Sequence, residues 1–198
     1  GSNAVYEYEE KSSGTRVVCK FYGPRFGWDR DQAAWWAGHE YDGLETLRRY
    51  GLVGSPHHVV RPLGMDRELG CVLAVEHYGG ESLSAAIDSA LHDGGSAHLF
   101  WRLKALAYFL ATQHNRTADP SGADFRADRD YLGVVTHRLL DRGRLGDWDA
   151  AELAWLGDRW AARPAMWNDA EVLLHGDATP ANFLFGGGMN VGAIDLER

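Results

Sequence analysis

Four polar residues stand at fixed intervals near the carboxyl end of the chain: His175, Asp177, Asn182 and Asp195. Two apolar runs, residues 183–185 and 191–194, flank a glycine triplet at 186–188, and this pattern predicts a β-hairpin. Such a hairpin would hold the two acids and the asparagine near one end. A carboxylate that orients a hydroxyl, with an amide and a carboxylate that hold Mg²⁺, suits phosphoryl transfer from ATP.

The segment before this loop, residues 172–174, is apolar and is predicted to be a buried strand that leads into His175. The alternative is an ordinary hairpin with solvated acids. Four polar residues at defined spacings between apolar runs favour the catalytic interpretation, whereas a lone His-Gly-Asp triplet would not.

The pattern resembles the catalytic core of the aminoglycoside phosphotransferase and choline-kinase-like family, the small-molecule branch of the protein-kinase-like superfamily. The family signature is His-Gly-Asp, an asparagine five residues after the aspartate, and Ile-Asp at the end of the next strand. Here it falls on residues 175–177, Asn182 and residues 194–195. The resemblance implies ATP and Mg²⁺ as cofactors, Asp177 as the base or orienter of the acceptor hydroxyl, and Asn182 and Asp195 as Mg²⁺ ligands.

A lysine inside an apolar run is a further candidate for chemistry. Residues 16–22 alternate as a strand and contain Lys20. A helix predicted over about residues 29–50 carries Glu40 on its apolar stripe. A carboxylate that faces a core needs a partner, so we pair Lys20 with Glu40 rather than with Glu45.

The resemblance implies that Lys20 grips the α- and β-phosphates of ATP and that Glu40 fixes the lysine. The alternatives are a lysine that snorkels off a strand edge and a glutamate solvated at the rim of the stripe.

A short buried strand is predicted at residues 72–75, and Glu76 and Tyr78 follow it before a glycine pair. In the protein-kinase-like fold this place is the hinge where backbone groups meet adenine. The resemblance therefore assigns Glu76 and Tyr78 to nucleotide binding. A simple exit from strand to loop is the alternative.

The order of these elements, with the resemblance, predicts an α+β, bilobal fold. A small antiparallel β lobe with one helix is followed by a mainly helical lobe that carries the catalytic hairpin. Residues 1–76 are expected to form an incomplete nucleotide-binding lobe and residues 77–198 an incomplete catalytic lobe, since the family fold is truncated here at both ends. Residues 116–130 are polar and are predicted to be a loop.

Composition narrows the classes of partner. The 198 residues are 45% hydrophobic and carry a net charge of −8. This length can bury a core, and the acidic balance argues against a nucleic-acid partner. No apolar run reaches the ~18 residues that a membrane span needs. Cys19 and Cys71 fit the reduced thiols of a cytoplasmic protein.

The resulting hypothesis is an ATP-dependent phosphotransferase that moves the γ-phosphoryl group to a hydroxyl of a small molecule: an amino sugar, an amino alcohol or a sugar. A nucleotide-binding pseudokinase that serves as an interaction module, and a protein-directed kinase, are the alternatives. The intact catalytic residues count against the first, whereas the expected truncation counts for it. The lack of Asp-Phe-Gly and Ala-Pro-Glu motifs counts against the second. The sequence leaves the oligomeric state open.

Overall fold

The computed structural model describes residues 3–23, 28–120, 124–168 and 170–196, and it shows the α+β architecture that the sequence predicts. The strands are β1 (Ala4–Glu9), β2 (Arg16–Phe21), β3 (Val53–Gly54), β4 (His57–Val59), β5 (Pro62–Asp66), β6 (Val72–Glu76), β7 (Glu81–Ser82), β8 (Phe183–Phe185) and β9 (Val191–Ala193). The helices are α1 (Arg30–Arg49), α2 (Leu83–Asp93), α3 (Ser96–Thr117), α4 (Phe125–Asp141), α5 (Asp147–Ala161) and α6 (Ala165–Asn168).

The first sheet has four antiparallel strands in the order β1-β2-β6-β5. Because side chains alternate along a strand, Val18 and Lys20 of β2 share one face, and Cys19 and Phe21 share the other. The face with Lys20 is the one that meets α1, since Lys20 contacts Glu40 of that helix.

Helix α1 begins at a reciprocal cap. The Asp29 carboxylate accepts a hydrogen bond from the Gln32 N–H at 2.8 Å, and the Gln32 side chain accepts one from the Asp29 N–H at 3.1 Å. This capping box satisfies two N–H groups that the first turn leaves free. Arg48 and Arg49 lie in the last turn, where cations stabilise the helix dipole. The buried face consists of Ala33, Ala34, Ala37, Glu40, Gly43, Leu44 and Leu47.

The second sheet joins strands that are far apart in sequence, in the order β3-β4-β9-β8-β7. Strands β4 and β9 run parallel, with His58 opposite Gly192, and the other neighbours are antiparallel. Strands β8 and β9 form the predicted hairpin, with Phe183 opposite Ala193. Gly188 in its turn has a φ of 63°, which glycine adopts without strain.

Residues 1–117 and 173–198 form one compact unit that holds both sheets and helices α1 to α3. Its core is a continuous cluster of buried apolar side chains, among them Leu44, Val59, Leu73, Phe109, Phe183 and Phe185. Both sheets and α1 therefore share one interior, and their functional side chains are held by it.

Residues 118–172 form a second compact unit, built from α4, α5 and α6. Here Phe125 contacts the rings of Trp160 and Trp167 edge-on, with centroids 6.4 and 6.1 Å apart. An ion pair between Arg129 and Asp158 joins α4 to α5. The lobe boundary expected at residue 76 stays a prediction.

The strand expected at residues 172–174 is absent, and this prediction was wrong. Side chains of α3 bind the backbone there in place of a neighbouring strand. The Gln113 amide donates to the Leu173 carbonyl at 2.7 Å, and the Leu173 N–H donates to the Thr117 hydroxyl at 3.0 Å. The segment is therefore fixed by α3 without belonging to a sheet.

The loop expected over residues 116–130 is shorter than predicted. Helix α3 continues to Thr117, and α4 already begins at Phe125. Asp124 starts α4, because its carboxylate accepts a hydrogen bond from the Arg126 N–H at 3.0 Å.

None of the helices in the described ranges combines the length and the apolar character that crossing a membrane requires. Cys19 and Cys71 are both free thiols, and Cys71 is buried.

Candidate functional site

Lys20 lies in a buried cluster of charges. The residue is 8% exposed, and its Nζ lies 2.6 Å from Glu40 Oε2. Lys20 also contacts the Asp195 carboxylate, and the Tyr22 hydroxyl donates a hydrogen bond to Glu40. The predicted pairing of Lys20 with Glu40 is confirmed, and Glu45 forms no ion pair with any described residue.

The two carboxylates keep Lys20 charged. Burial disfavours the ammonium, but Glu40 and Asp195 outweigh burial and raise the pKa of Lys20. Burial also raises the pKa of Glu40, against the opposing attraction of Lys20. The cluster therefore holds a permanent cation in a fixed position.

Asp195, two residues after the end of β9, has an unusual backbone conformation. Its φ is 59°, in the left-handed region that few residues other than glycine enter. The N–H of the preceding residue, Ile194, donates to the Asn182 carbonyl at 3.0 Å. This bond and the contact with Lys20 hold Asp195 in a strained conformation, a feature that is common at functional sites.

Asp177 and Asn182 are in direct contact. The Asn182 amide donates to the Asp177 carboxylate and to the Asp177 carbonyl, both at 2.9 Å. A 3₁₀ turn at Pro180–Asn182 brings the two residues together, and Asn182 is buried. Asn182 thus bonds to Asp177 through its side chain and to Ile194, the neighbour of Asp195, through its carbonyl. This agrees with the prediction that the hairpin holds Asp177, Asn182 and Asp195 near one end.

His175, which precedes Asp177 by two residues, is buried against the ring of Phe183, with centroids 4.8 Å apart. Neither ring nitrogen makes a well-aligned hydrogen bond with a described residue. Burial lowers the pKa of His175. The His175 ring is therefore a buried, neutral side chain that packs on the Phe183 ring.

A cavity of about 350 Å³ opens beside Lys20. Its lining includes the mutually contacting groups Lys20, Glu40 and Asp195, which we call its charged end, and it also includes Glu76 and Tyr78. The apolar part of the lining comes from Val5, Val18, Val60, Val75, Leu184 and Ile194. An apolar cavity with a few charged groups is typical of a small-molecule site. The structure thus brings five of the predicted site residues to one cavity, whereas Asp177 and Asn182 lie outside its lining.

The side chains of Glu76 and Tyr78 are both held by His58, a residue that the sequence analysis did not select. Glu76 Oε1 lies 2.6 Å from His58 Nε2 and 3.6 Å from Arg48 Nη1. The Tyr78 ring stacks on the His58 ring, with centroids 5.2 Å apart and an interplanar angle of 20°. Nothing in the sequence around His58, which lies in the short strand β4, indicates that it contacts these two residues.

Gly192 leaves the space that the Tyr78 ring occupies. A Cβ atom at position 192 would lie 2.5 Å from the Tyr78 ring, whereas a Cβ at Gly54 would meet nothing within 4 Å. We expect Gly192→Ala to destabilise the protein by about 1–3 kcal/mol through overpacking. Gly54→Ala, in another strand of the same sheet, should stay within about 0.5 kcal/mol of wild type. Denaturant unfolding of both variants checks this, and equal stability of the two would contradict it.

The donor set fits Mg²⁺. Asn182 uses its amide nitrogen for both bonds to Asp177, and its amide oxygen makes no hydrogen bond with a described residue. The Asp195 side chain is 32% exposed. An amide and a carboxylate oxygen, completed by phosphate and water, are ligands that Mg²⁺ takes. Within the described ranges, no group of three or more His, Cys, Asp or Glu residues is placed so that it could hold a metal ion.

Comparison with known families gives one match over the whole chain. The phosphotransferase enzyme family, abbreviated APH, matches residues 1–198. No curated protein matches the sequence significantly.

Two phosphotransferase structures are among the solved structures with a similar fold. One described as macrolide 2'-phosphotransferase type I has a TM-score of 0.59 and 16% sequence identity, over 98% of this chain and 62% of that one. The gentamicin-APH(2")-IIa complex has a TM-score of 0.55 and 14% identity, over 98% of this chain and 65% of that one. The chain thus spans less than two thirds of either structure. At these identities the likeness concerns the fold, and it confirms the predicted protein-kinase-like fold class.

Proposed function

The chain belongs to the phosphotransferase enzyme family, and from this premise we propose that it transfers the γ-phosphoryl group of ATP to a hydroxyl of a small molecule. The observation that carries the proposal is the buried Lys20–Glu40 pair at the charged end of the cavity, in contact with Asp195. A permanently charged lysine there suits the polyphosphate of a nucleotide.

In this proposal the cavity takes the nucleotide. The apolar side chains Val18, Val60 and Ile194 would cover the faces of the adenine ring, and the backbone at Glu76 and Tyr78 would meet its edge. Lys20 would neutralise the α- and β-phosphates, and Glu40 would hold the lysine in place. The 350 Å³ volume falls in the range of small-molecule sites.

Asn182 and Asp195 would hold Mg²⁺ through their side-chain oxygens. The ion supplies charge neutralisation of the β- and γ-phosphate oxygens when bound. Lys20 would then exchange part of its contact with Asp195 for a contact with phosphate, because both groups are acceptors for the same ammonium.

Asp177 would orient the acceptor hydroxyl and take its proton. Its carboxylate is aimed by the Asn182 amide, which donates to one of its oxygens and leaves the other for the acceptor. In a loose phosphoryl-transfer transition state most of the rate comes from position and electrostatics, so a fixed carboxylate is sufficient.

We further propose a cytoplasmic enzyme whose acceptor is an amino sugar, an amino alcohol or a sugar. The net charge of −8 favours a cationic acceptor among these. The related structures include a macrolide 2'-phosphotransferase and a complex with gentamicin. Macrolides and aminoglycosides are therefore reasonable members of a first panel of acceptors.

Asp195→Ala tests the nucleotide site without an identified acceptor. Isothermal calorimetry with MgATP should show at least a tenfold loss of affinity, because the variant lacks a Mg²⁺ ligand and an anchor of Lys20. Asp147→Ala, which removes an acid from the first turn of α5, is the matched control and should bind as wild type does. Equal ATP affinity in wild type and Asp195→Ala would rule out the site.

A further inference from the structure

We propose that His58 is a positioning residue for the nucleobase, and that it acts indirectly by holding Glu76 and Tyr78 of the predicted hinge in place. This inference rests on the proposed function, since the hinge matters only if the cavity takes a nucleotide. His58 is not among the residues that line the cavity, so it would act through Glu76 and Tyr78.

His58 contacts both ends of the segment from Glu76 to Tyr78. Its Nε2 lies 2.6 Å from Glu76 Oε1, and since a carboxylate only accepts, the ring nitrogen is the donor. Its ring stacks on Tyr78 at 5.2 Å. One side chain therefore sets the position of the residues before and after His77, which itself lines the cavity.

His58 itself stands on a rigid support. It belongs to β4 in the interior of the second sheet, where it is paired with Gly192 of β9. The missing side chain of Gly192 lets the Tyr78 ring lie against the sheet beside His58. The hinge is thereby joined to the strand that leads to Asp195, and hence to the charged end of the cavity.

The Glu76 carboxylate has further partners that keep it in place. It accepts a hydrogen bond from the Arg61 N–H at 2.5 Å, and Arg48 lies 3.6 Å away. The Glu76 N–H donates to the Arg61 carbonyl at 2.9 Å. These partners should keep β6 folded when His58 is lost. The effect should then be confined to the hinge, where Glu76 loses its closest side-chain partner and Tyr78 loses its stacking partner.

Two variants separate the two contacts of His58. His58→Phe keeps a ring for Tyr78 and loses the hydrogen bond to Glu76, whereas His58→Gln keeps a donor and loses the stacking. Backbone hydrogen bonds to a base weaken when they move out of line. We therefore expect the Kd for MgATP to rise about tenfold in His58→Phe, the order of effect of one hydrogen bond to a charged group. His58→Gln should lie between this variant and wild type.

Magnesium tripolyphosphate is the second probe, because it has the phosphates of ATP and no base. A residue that positions the base should leave tripolyphosphate affinity within about twofold of wild type, since Lys20 and Asp195 are unchanged. His92→Gln, an exposed histidine on α2, is the control for loss of an imidazole. Calorimetry with both probes, together with a thermal unfolding curve for each variant, completes the experiment.

The outcomes are distinct. Weaker MgATP binding with unchanged tripolyphosphate binding supports the role of His58. If both probes weaken by the same factor, or if MgATP affinity stays within twofold of wild type, the inference is wrong while the proposed function stands. If the wild-type protein binds neither probe, the proposed function fails, and the inference falls with it.

Discussion

Replacing Asp177 with asparagine is expected to lower turnover by about 10²-fold or more while ATP affinity changes little. The substitution keeps the shape of the side chain and removes the oxygen charge that would accept the acceptor's proton. The side-chain oxygen of the new asparagine can still accept the hydrogen bond from the Asn182 amide, so Asn182 and the nucleotide contacts should survive. Formation of ADP with an acceptor chosen from a panel of small hydroxyl compounds measures turnover, and calorimetry measures ATP affinity.

The expected effect of replacing Asp177 differs from that of replacing Asp195. Asp195 lines the cavity and contacts Lys20, so its loss should damage binding and turnover together. Asp141→Asn, at the end of α4, serves as the control for loss of one negative charge. Normal turnover of Asp177→Asn with its true acceptor would refute the assigned mechanism even though the family assignment stands.

Lys20→Met is expected to reduce the free energy of unfolding by about 3–5 kcal/mol, because it leaves the buried Glu40 without its partner charge. The side chains of this pair are 11% and 7% exposed, so water cannot replace the lost partner. Urea unfolding at neutral pH measures the change. MgATP binding should also be lost, since the phosphates lose their cation.

Two further variants distinguish the loss of a partner charge from the loss of side-chain packing. One adds a substitution at Glu40, and the other breaks an exposed ion pair. Adding Glu40→Gln to Lys20→Met should restore much of the stability, because no buried charge is then unpaired. Arg16→Met breaks an ion pair with Glu7 in which both side chains are 47% exposed, and it should cost no more than about 1 kcal/mol. A Lys20→Met protein as stable as Arg16→Met would contradict the description of Lys20 as a buried ion-pair partner.

The sequence predicts the hairpin and the Lys20–Glu40 pair because periodicity determines them. A glycine triplet between apolar runs leads to β8 and β9, and the helical stripe places Glu40 but not Glu45 on the buried face of α1. The same reasoning fails for residues 172–174, which are apolar enough for a strand. There the backbone partners are Gln113 and Thr117, two side chains that lie more than 50 residues away in sequence.

The contacts of His58 with the hinge residues could not be predicted from the sequence, for a different reason. Glu76 and Tyr78 follow a recognisable strand, but His58 approaches them only because β4 pairs with β9 in the second sheet. Long-range parallel pairing has no local signature in the sequence. For the same reason the contact of Lys20 with Asp195, 175 residues apart, follows from the fold and not from any motif.

The pairing of β4 with β9 also has a consequence for how the chain acquires its structure during synthesis. After β4 leaves the ribosome, about 130 further residues must be added before β9 exists, roughly 7–26 s at about 5–20 residues per second. During this interval the edge of β4 that β9 will cover has no partner, although Val59 is fully buried in the finished fold. A nascent chain with an unpaired strand edge is prone to aggregation. We therefore expect the yield of native protein to depend on chaperones that bind this strand while the rest of the polypeptide is translated.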